Sequence, residues 1–91
     1  MTEVRDNAGK SRYELLEDGK LLGLADYRPM GDKLAFPHTE IVPGRRKQGL
    51  GAQLVQGALD DVRRKGAKVV PMCWFVAEFL EEHPEYADLR A

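Results

Sequence analysis

One amphipathic run constrains the fold of this chain more than any other part of its sequence. Apolar residues recur at the spacing of one face of an α-helix between Leu50 and Val62, and the opposite face is polar. The pattern predicts a half-buried helix from about Gly49 to Lys65, which Gly66 ends. Gly57 lies in its interior at a cost of roughly 1 kcal/mol relative to alanine, which indicates close packing against its backbone. The apolar face comprises Leu50, Leu54, Val55, Ala58, Leu59 and Val62.

A basic, glycine-rich turn precedes this helix. It reads Val42-Pro43-Gly44-Arg45-Arg46-Lys47-Gln48-Gly49-Leu50-Gly51. Cations at a helix N-terminus are repelled by the helix dipole, and a bound phosphate offsets that repulsion. Glycine also lets backbone N–H groups approach an anion closely. The pattern alone leaves two interpretations open, a phosphate-binding turn and a structural turn that carries solvated cations.

The remaining chain predicts a small mixed α/β (α+β) domain. Asp18-Gly19 between two apolar-rich runs predicts a hairpin of strands 11–17 and 20–27. Residues 28–32 read as a second turn, 33–41 as a strand that Pro37 makes an edge or a bulge, and 67–72 as a short strand. Residues 75–80 predict a second helix that ends before His83-Pro84, and 84–91 allow one more turn of helix. Residues 1–10 fit either a first strand or a loose arm. The expected architecture is a mostly antiparallel mixed sheet with two or three helices packed on it.

Composition narrows the classes of function. Ninety-one residues allow one domain, here taken as residues 1–91. A net charge of −1 gives no general attraction to nucleic acid or to anionic membranes, so the basic turn suits a small anion. A single cysteine, the lack of a signal-peptide pattern and the lack of a long apolar run favour a cytoplasmic protein without membrane contact.

Two segments carry a resemblance to a known family. Arg46-Lys47-Gln48-Gly49-Leu50-Gly51 fits the Arg/Gln-x-x-Gly-x-Gly/Ala signature of the GNAT superfamily of acetyl-CoA-dependent N-acetyltransferases. More specific is the pairing of Val69-Val70-Pro71-Met72-Cys73-Trp74-Phe75-Val76 with His83-Pro84-Glu85-Tyr86-Ala87-Asp88-Leu89. It resembles the small single-domain GNAT-like proteins of the YjdJ and NATD types, and the resemblance covers almost the whole chain.

The resemblance implies a cofactor site for acetyl-CoA or CoA. The strand that ends at Ile41 and the strand 67–72 would splay apart like a V, with the pantetheine arm between them. Main-chain groups of Ile41 and Val42 would bind that arm, and Cys73 would lie near the cofactor sulfur. Residues of the turn would hold the pyrophosphate: Arg45, Arg46, Lys47, Gln48, Gly49, Leu50 and Gly51.

Four residues are candidates for the chemistry. Cys73 precedes a helix, where a thiol is activated as a nucleophile, yet free cysteine is commonly a small buried hydrophobe. His38 and Glu40 share a strand face and form a candidate acid/base pair, although each equally suits a solvent-facing position. Tyr86 is a candidate acid for the leaving thiolate. The superfamily's asparagine and tyrosine pattern on the last helix is not recognisable, so these roles do not transfer directly. No compact metal-ligand spacing is present, and no metal is predicted.

The sequence is compatible with three functions to different degrees. The main hypothesis is an N-acetyltransferase that acts by direct transfer to an unidentified amine. Because Asp18-Gly19 replaces the helices that cover the acceptor side in larger relatives, the acceptor side should be open. Either a protein amine or a polyamine would then fit, or the chain has no efficient acceptor. The alternative is a non-catalytic module that binds CoA, acyl-CoA or a protein partner. A nucleic-acid binder is disfavoured by the charge and by the lack of further basic or aromatic stripes.

Overall fold

The structure is a computed structural model of the chain and describes residues 1–44 and 49–91. These residues form one five-stranded sheet in the order β1-β2-β3-β4-β5, in which β5 is parallel to β4 and the other neighbours are antiparallel. The α+β architecture predicted from the sequence is therefore confirmed. The elements are β1 (Thr2–Asn7), β2 (Arg12–Glu17), β3 (Lys20–Met30), β4 (Lys33–Ile41), α1 (Leu50–Arg64), β5 (Lys68–Val70) and α2 (Trp74–Glu82), with 3₁₀ helices at Ala8–Lys10 and Pro84–Leu89.

The hairpin of β2 and β3 turns at Asp18-Gly19, as predicted. Both residues adopt positive φ, 49° at Asp18 and 84° at Gly19, and so close a two-residue turn. The open choice for the first ten residues is settled as a strand, because β1 pairs with β2 along its whole length. No helix or long loop lies between β2 and β3, so that connection does not cover this end of the sheet.

The predicted turn over residues 28–32 was wrong in extent. β3 continues to Met30, and only Gly31 and Asp32 form the turn into β4. Proline was expected to break the strand at Pro29. It is tolerated there because β2 pairs with β3 only as far as Asp26, so β3 is locally an edge strand and no neighbour needs the missing N–H.

The helix α1 buries its apolar face on the sheet, within one residue of the predicted bounds. Leu54, Leu59 and Val62 have no solvent-accessible surface. The close packing expected at Gly57 is present, because a Cβ built there would lie 2.5 Å from Cγ2 of Val4 on β1. A side chain at this position would push the helix off the sheet.

A charged network fixes the C-terminal end of α1 to the first three strands. Tyr13 donates to Asp61 at 2.6 Å, Tyr27 donates to Asp6 at 2.7 Å, and Lys65 bridges Asp6 and Asp61 at 2.6 and 2.8 Å. Burial alone raises the pKa of Asp61, but hydrogen bonds from Lys65, Tyr13 and Arg64 outweigh it and lower that pKa to about 2. This network lies at the opposite end of α1 from Gly49.

The strands β4 and β5 part soon after they begin to pair. Their register runs only from Lys33 and Lys68 to Ala35 and Val70, and β5 is shorter than the predicted strand 67–72. On the other side of β4, the register against β3 shifts so that Phe36 and Pro37 oppose the single residue Tyr27. This is the bulge that Pro37 predicted. Beyond it, the second half of β4 has β3 on one side and a gap on the other.

No helix among residues 1–44 and 49–91 has the length and apolar character that a membrane span requires.

Candidate active site

The gap between β4 and β5 opens into a cleft of about 680 Å³. The second half of β4 forms one wall, the first turn of α1 forms its end, and α2 forms the opposite wall. The cleft brings together six of the residues predicted for the site: His38, Glu40, Ile41, Gly49, Gly51 and Cys73. The other residues that line it are Thr39, Ala52, Trp74, Phe75, Glu78, Phe79, Glu82 and His83.

The main chain of β4 presents hydrogen-bonding groups to this cleft that β3 does not use. Val42 donates its N–H to the carbonyl of Leu22 on β3 at 2.9 Å. Because hydrogen-bonded and non-bonded positions alternate along an antiparallel pair, the N–H and C=O groups of Thr39 and Ile41 point away from β3, toward the cleft. The hydroxyl of Thr39 is buried and has no hydrogen-bond partner among the described residues. Buried polar groups are costly to leave unpaired, so this wall suits a ligand with its own donors and acceptors.

The end of the cleft is the N-terminus of α1. Gly49 caps the helix in the left-handed conformation, with φ 71°, which explains why glycine stands there. The first intrahelical bond is donated by Gln53 to Gly49, so the N–H groups of Leu50, Gly51 and Ala52 lack intrahelical acceptors. Gly51 serves packing as well, because a Cβ there would lie 2.7 Å from Cζ of Phe75 on α2.

His38 and Glu40 lie side by side on the β4 wall. His38 Nε2 is 3.0 Å from Glu40 Oε2, and both side chains are more than half exposed to the cleft and solvent. When Nε2–H donates a hydrogen bond to the carboxylate, Nδ1 is the imidazole nitrogen that can accept a proton. A histidine held by a carboxylate in this way is a suitable general base.

Cys73 stands where β4, β5 and α2 meet. Its main-chain N–H donates to the carbonyl of Phe36 at 2.8 Å, and it occupies the N-cap position of α2. The side chain is partly buried, lines the cleft and makes no capping hydrogen bond. Both sequence interpretations, a reactive thiol and a small apolar side chain in the wall, remain consistent with this position.

The structure separates three predicted site residues from the cleft lining. Tyr86 is 8% exposed, and its hydroxyl donates to Asp60 at 2.7 Å on the polar side of α1. Burial and this hydrogen bond raise the pKa of Tyr86 to about 12. Leu50 packs in the core, and the N–H of Val42 is used by β3. The predicted ligands Arg45, Arg46, Lys47 and Gln48 lie outside the described residues.

Two lining residues, Glu78 and Glu82, were not singled out from the sequence, whereas Trp74 was expected in the core or the pocket wall. Trp74, Glu78 and Glu82 stand at four-residue spacing on α2 and so share a helix face. That spacing was visible in the sequence, but only the position of α2 across from β4 makes it meaningful. His83 stacks on Phe79 with ring centroids 4.0 Å apart and closes one end of the wall.

A sheet whose fourth and fifth strands diverge beside a glycine-capped helix has the arrangement of the GNAT acyltransferase fold. The chain belongs to the GCN5-related N-acetyltransferase family, whose family model matches residues 12–89. Among curated proteins, Protein NATD1 from Bos taurus and from Homo sapiens is each 29% identical over 59 residues. The match covers 64% of this chain and 52% of each relative, so the chain spans about half the length of the curated relatives it matches.

Solved structures agree on the fold. The solution structure of a GCN5-like protein from Staphylococcus aureus aligns with 98% of this chain and 87% of its own, at a TM-score of 0.74 and 21% identity. The ribosomal-protein-S18-alanine N-acetyltransferase from Escherichia coli aligns with 66% of this chain and 39% of its own, at a TM-score of 0.60 and 21% identity. At these identities the likeness establishes the fold alone.

Proposed function

We propose that this chain is an acetyl-CoA-dependent N-acetyltransferase that acts by direct transfer within a ternary complex. The observation that carries the proposal is the cleft itself. Its β4 wall offers main-chain groups of Thr39 and Ile41 that point away from β3, and its end is a helix N-terminus capped by Gly49. An extended ligand with amide groups along its length and phosphates at one end matches both features.

The hydrogen-bonding groups of the cleft match the chemical groups of acetyl-CoA. Main-chain groups of Thr39 and Ile41 would bind the amides of the pantetheine arm. The free N–H groups at the start of α1 would bind the pyrophosphate, together with the cations of the sequence segment 45–48. When bound, acetyl-CoA supplies an activated thioester. The protein then has to place the acceptor amine, remove its proton and exclude competing water.

His38 is the proposed general base. Its Nδ1 accepts the proton that the acceptor amine loses, while Glu40 holds the ring through Nε2 and stabilises the imidazolium that forms. Cys73 is proposed to line the site without covalent involvement, as one of the residues of the cleft wall. Because Tyr86 is engaged by Asp60 away from the cleft lining, the tyrosine is not included in the proposed chemistry.

Calorimetric titration with acetyl-CoA, and separately with CoA, tests the cofactor half of the proposal. The double variant Arg46→Ala, Lys47→Ala removes two cations from the turn. We expect saturable binding by the native chain and a dissociation constant raised about tenfold or more in the variant, since hydrogen bonds to charged groups are the stronger ones. The matched control is Arg28→Ala, Lys20→Ala, which removes the same two residue types from β3, outside the cleft lining. Equal binding by all three proteins, or no binding at millimolar cofactor, would contradict the proposal.

The competing function is a non-catalytic module that binds CoA or acyl-CoA. The engagement of Tyr86 with Asp60 favours it, because a candidate acid is withdrawn from the site. Both functions entail cofactor binding, and only the enzyme releases free CoA thiol in an acceptor-dependent manner. A broad amine panel that yields no release above background hydrolysis would favour the module.

A further inference from the structure

One face of α2 presents an unusual set of side chains to the cleft. Trp74, Glu78 and Glu82 follow one another at four-residue spacing, and all three line the cavity. Trp74 is 72% exposed although it is the largest apolar side chain of the chain. Its ring lies perpendicular to that of Phe75, with ring centroids 5.8 Å apart. The high exposure of Trp74 leaves most of its surface available to a ligand.

The two glutamates of this face are available to a ligand. No ion-pair partner within 4 Å is present for Glu78 or Glu82 among the described residues. The opposite wall adds a third carboxylate, Glu40, with His38 beside it. In the described part of the chain, the cavity therefore carries carboxylates on two walls and no lysine or arginine.

An open aromatic face beside unpaired carboxylates is the chemistry that recognises ammonium groups. The ring attracts a cation through its quadrupole, and the carboxylates supply charge and hydrogen-bond acceptors. At this wall a neutral distal group gains only the apolar contact, and a distal carboxylate is repelled. The charge of this wall therefore discriminates between acceptors whose reacting amine is identical.

We propose that the α2 wall formed by Trp74, Glu78 and Glu82 binds the distal ammonium group of a cationic acceptor, so that the preferred acceptors are diamines, polyamines or lysine-rich chains. This inference rests on the proposed function, since it names the acceptor class of the same cleft. These acceptors share one feature that the wall recognises, which is a second positive charge a few bonds away from the reacting amine.

Three amines with the same chain and the same reacting group test the proposal: cadaverine, aminopentanol and aminopentanoate. They differ only in the distal group, which is positive, neutral or negative. Trp74 is the single tryptophan, so its emission reports binding in the native chain. We expect cadaverine to change this emission saturably, with a dissociation constant about tenfold below that of aminopentanol, and aminopentanoate to bind most weakly.

Glu→Gln variants, which remove the charge and keep the shape of the side chain, test which residues bind cadaverine. Glu78→Gln and Glu82→Gln should each weaken cadaverine binding about threefold to tenfold and weaken aminopentanol binding by a smaller factor, because only cadaverine has a second positive charge. Glu81→Gln makes the same change on the same helix at an exposed position outside the cleft lining, and it is the matched control. Equal affinities for cadaverine and aminopentanol, or equal effects of Glu78→Gln and Glu81→Gln, would overturn the proposal.

A turnover assay with the same three amines separates this inference from the proposed function. Release of CoA thiol at equal rates with all three amines would uphold the transferase and overturn the cationic preference. Selective binding of cadaverine without any release of thiol would uphold the cation site and overturn the transferase. Faster release with cadaverine, lost in Glu78→Gln, would support both.

Discussion

The main-chain N–H of Cys73 donates a hydrogen bond of 2.8 Å to the carbonyl oxygen of Phe36. This bond ties the start of α2 to β4 at the point where β4 and β5 no longer pair. The bulge at Phe36 and Pro37 turns that carbonyl away from β3, and so makes it available to Cys73. Because this hydrogen bond joins main-chain atoms only, the Cys73 side chain can be replaced while the bond between α2 and β4 is kept.

Substitution of Cys73 distinguishes a wall residue from a nucleophile. We expect Cys73→Ala to keep turnover within about threefold, since direct transfer needs no thiol. Mass spectrometry of the native protein after incubation with acetyl-CoA should show no stable acetyl adduct at Cys73. Loss of turnover by two orders of magnitude in Cys73→Ala, with cofactor affinity unchanged, would instead establish covalent catalysis.

Removal of the proposed base should affect turnover and spare cofactor binding. We expect His38→Ala to lower kcat about a hundredfold, because positioned general bases contribute that much or more. Glu40→Gln should lower kcat less, about tenfold, since it removes only the group that holds Nε2. Calorimetry with acetyl-CoA is the control, and it should give the native affinity for both variants. Undiminished turnover in His38→Ala would assign the base elsewhere.

Gly51 and Phe75 should be coupled in stability. Alanine is favoured over glycine in a helix by roughly 1 kcal/mol, so Gly51→Ala without a clash would stabilise the protein. Overpacking against Phe75 typically costs about 1–3 kcal/mol, and we expect net destabilisation. In a Phe75→Leu background the ring tip is gone, and the same substitution should become neutral or stabilising. Urea unfolding of the four proteins measures this coupling, and additive effects would show that the ring is not the obstacle.

Tyr86→Phe should act on stability and not on chemistry. The hydroxyl donates to Asp60, and its loss is expected to lower the free energy of unfolding by about 1 kcal/mol. Turnover should stay within twofold of the native value, because the side chain does not line the cleft. A large drop in kcat without a change in stability would instead indicate that Tyr86 takes part in the reaction.

Asp61 should contribute to the loss of folding stability at acid pH. The pKa of Asp61 is about 2 in the folded protein and 3.8 when the side chain has no partners, as in the unfolded chain. Its contribution to the free energy of unfolding is therefore complete above pH 3.8 and is lost as the pH falls from 3.8 through 2. Asp61→Asn should therefore lower stability at neutral pH and flatten the decline in this window. Asp32→Asn, an exposed turn position, is the matched control. Parallel pH profiles for native protein and Asp61→Asn would refute this role.

Much of the fold could be predicted from local sequence patterns. The helix 49–65, the Asp18-Gly19 hairpin, the strand 33–41 and the bulge at Pro37 each have a short-range physical signal, and each is present in the structure. The extent of β3 through Pro29 was not predictable, because it depends on where the neighbouring β2 ends. That is a property of the assembled sheet.

The site was predictable in outline for a similar reason. His38, Glu40, Gly49 and Cys73 were chosen for residue type and position, and the fold brings them to one cleft. Tyr86 was chosen for its chemistry, but its partner Asp60 lies 26 positions away along the chain, so the pairing had no local signal. The role of Trp74, Glu78 and Glu82 likewise depends on how α2 packs across from β4.

The most direct test of the central claim is an amide-resolved NMR titration of the native chain with acetyl-CoA. The cleft model predicts saturable shifts at Thr39, Ile41, Gly49, Gly51 and Cys73, with the hairpin around Asp18 unaffected. A chain this short gives well-resolved spectra, so each of these amides reports separately. Saturable shifts centred on β1 and β2, or no shifts at millimolar acetyl-CoA, would contradict the assignment of the cleft as the cofactor site.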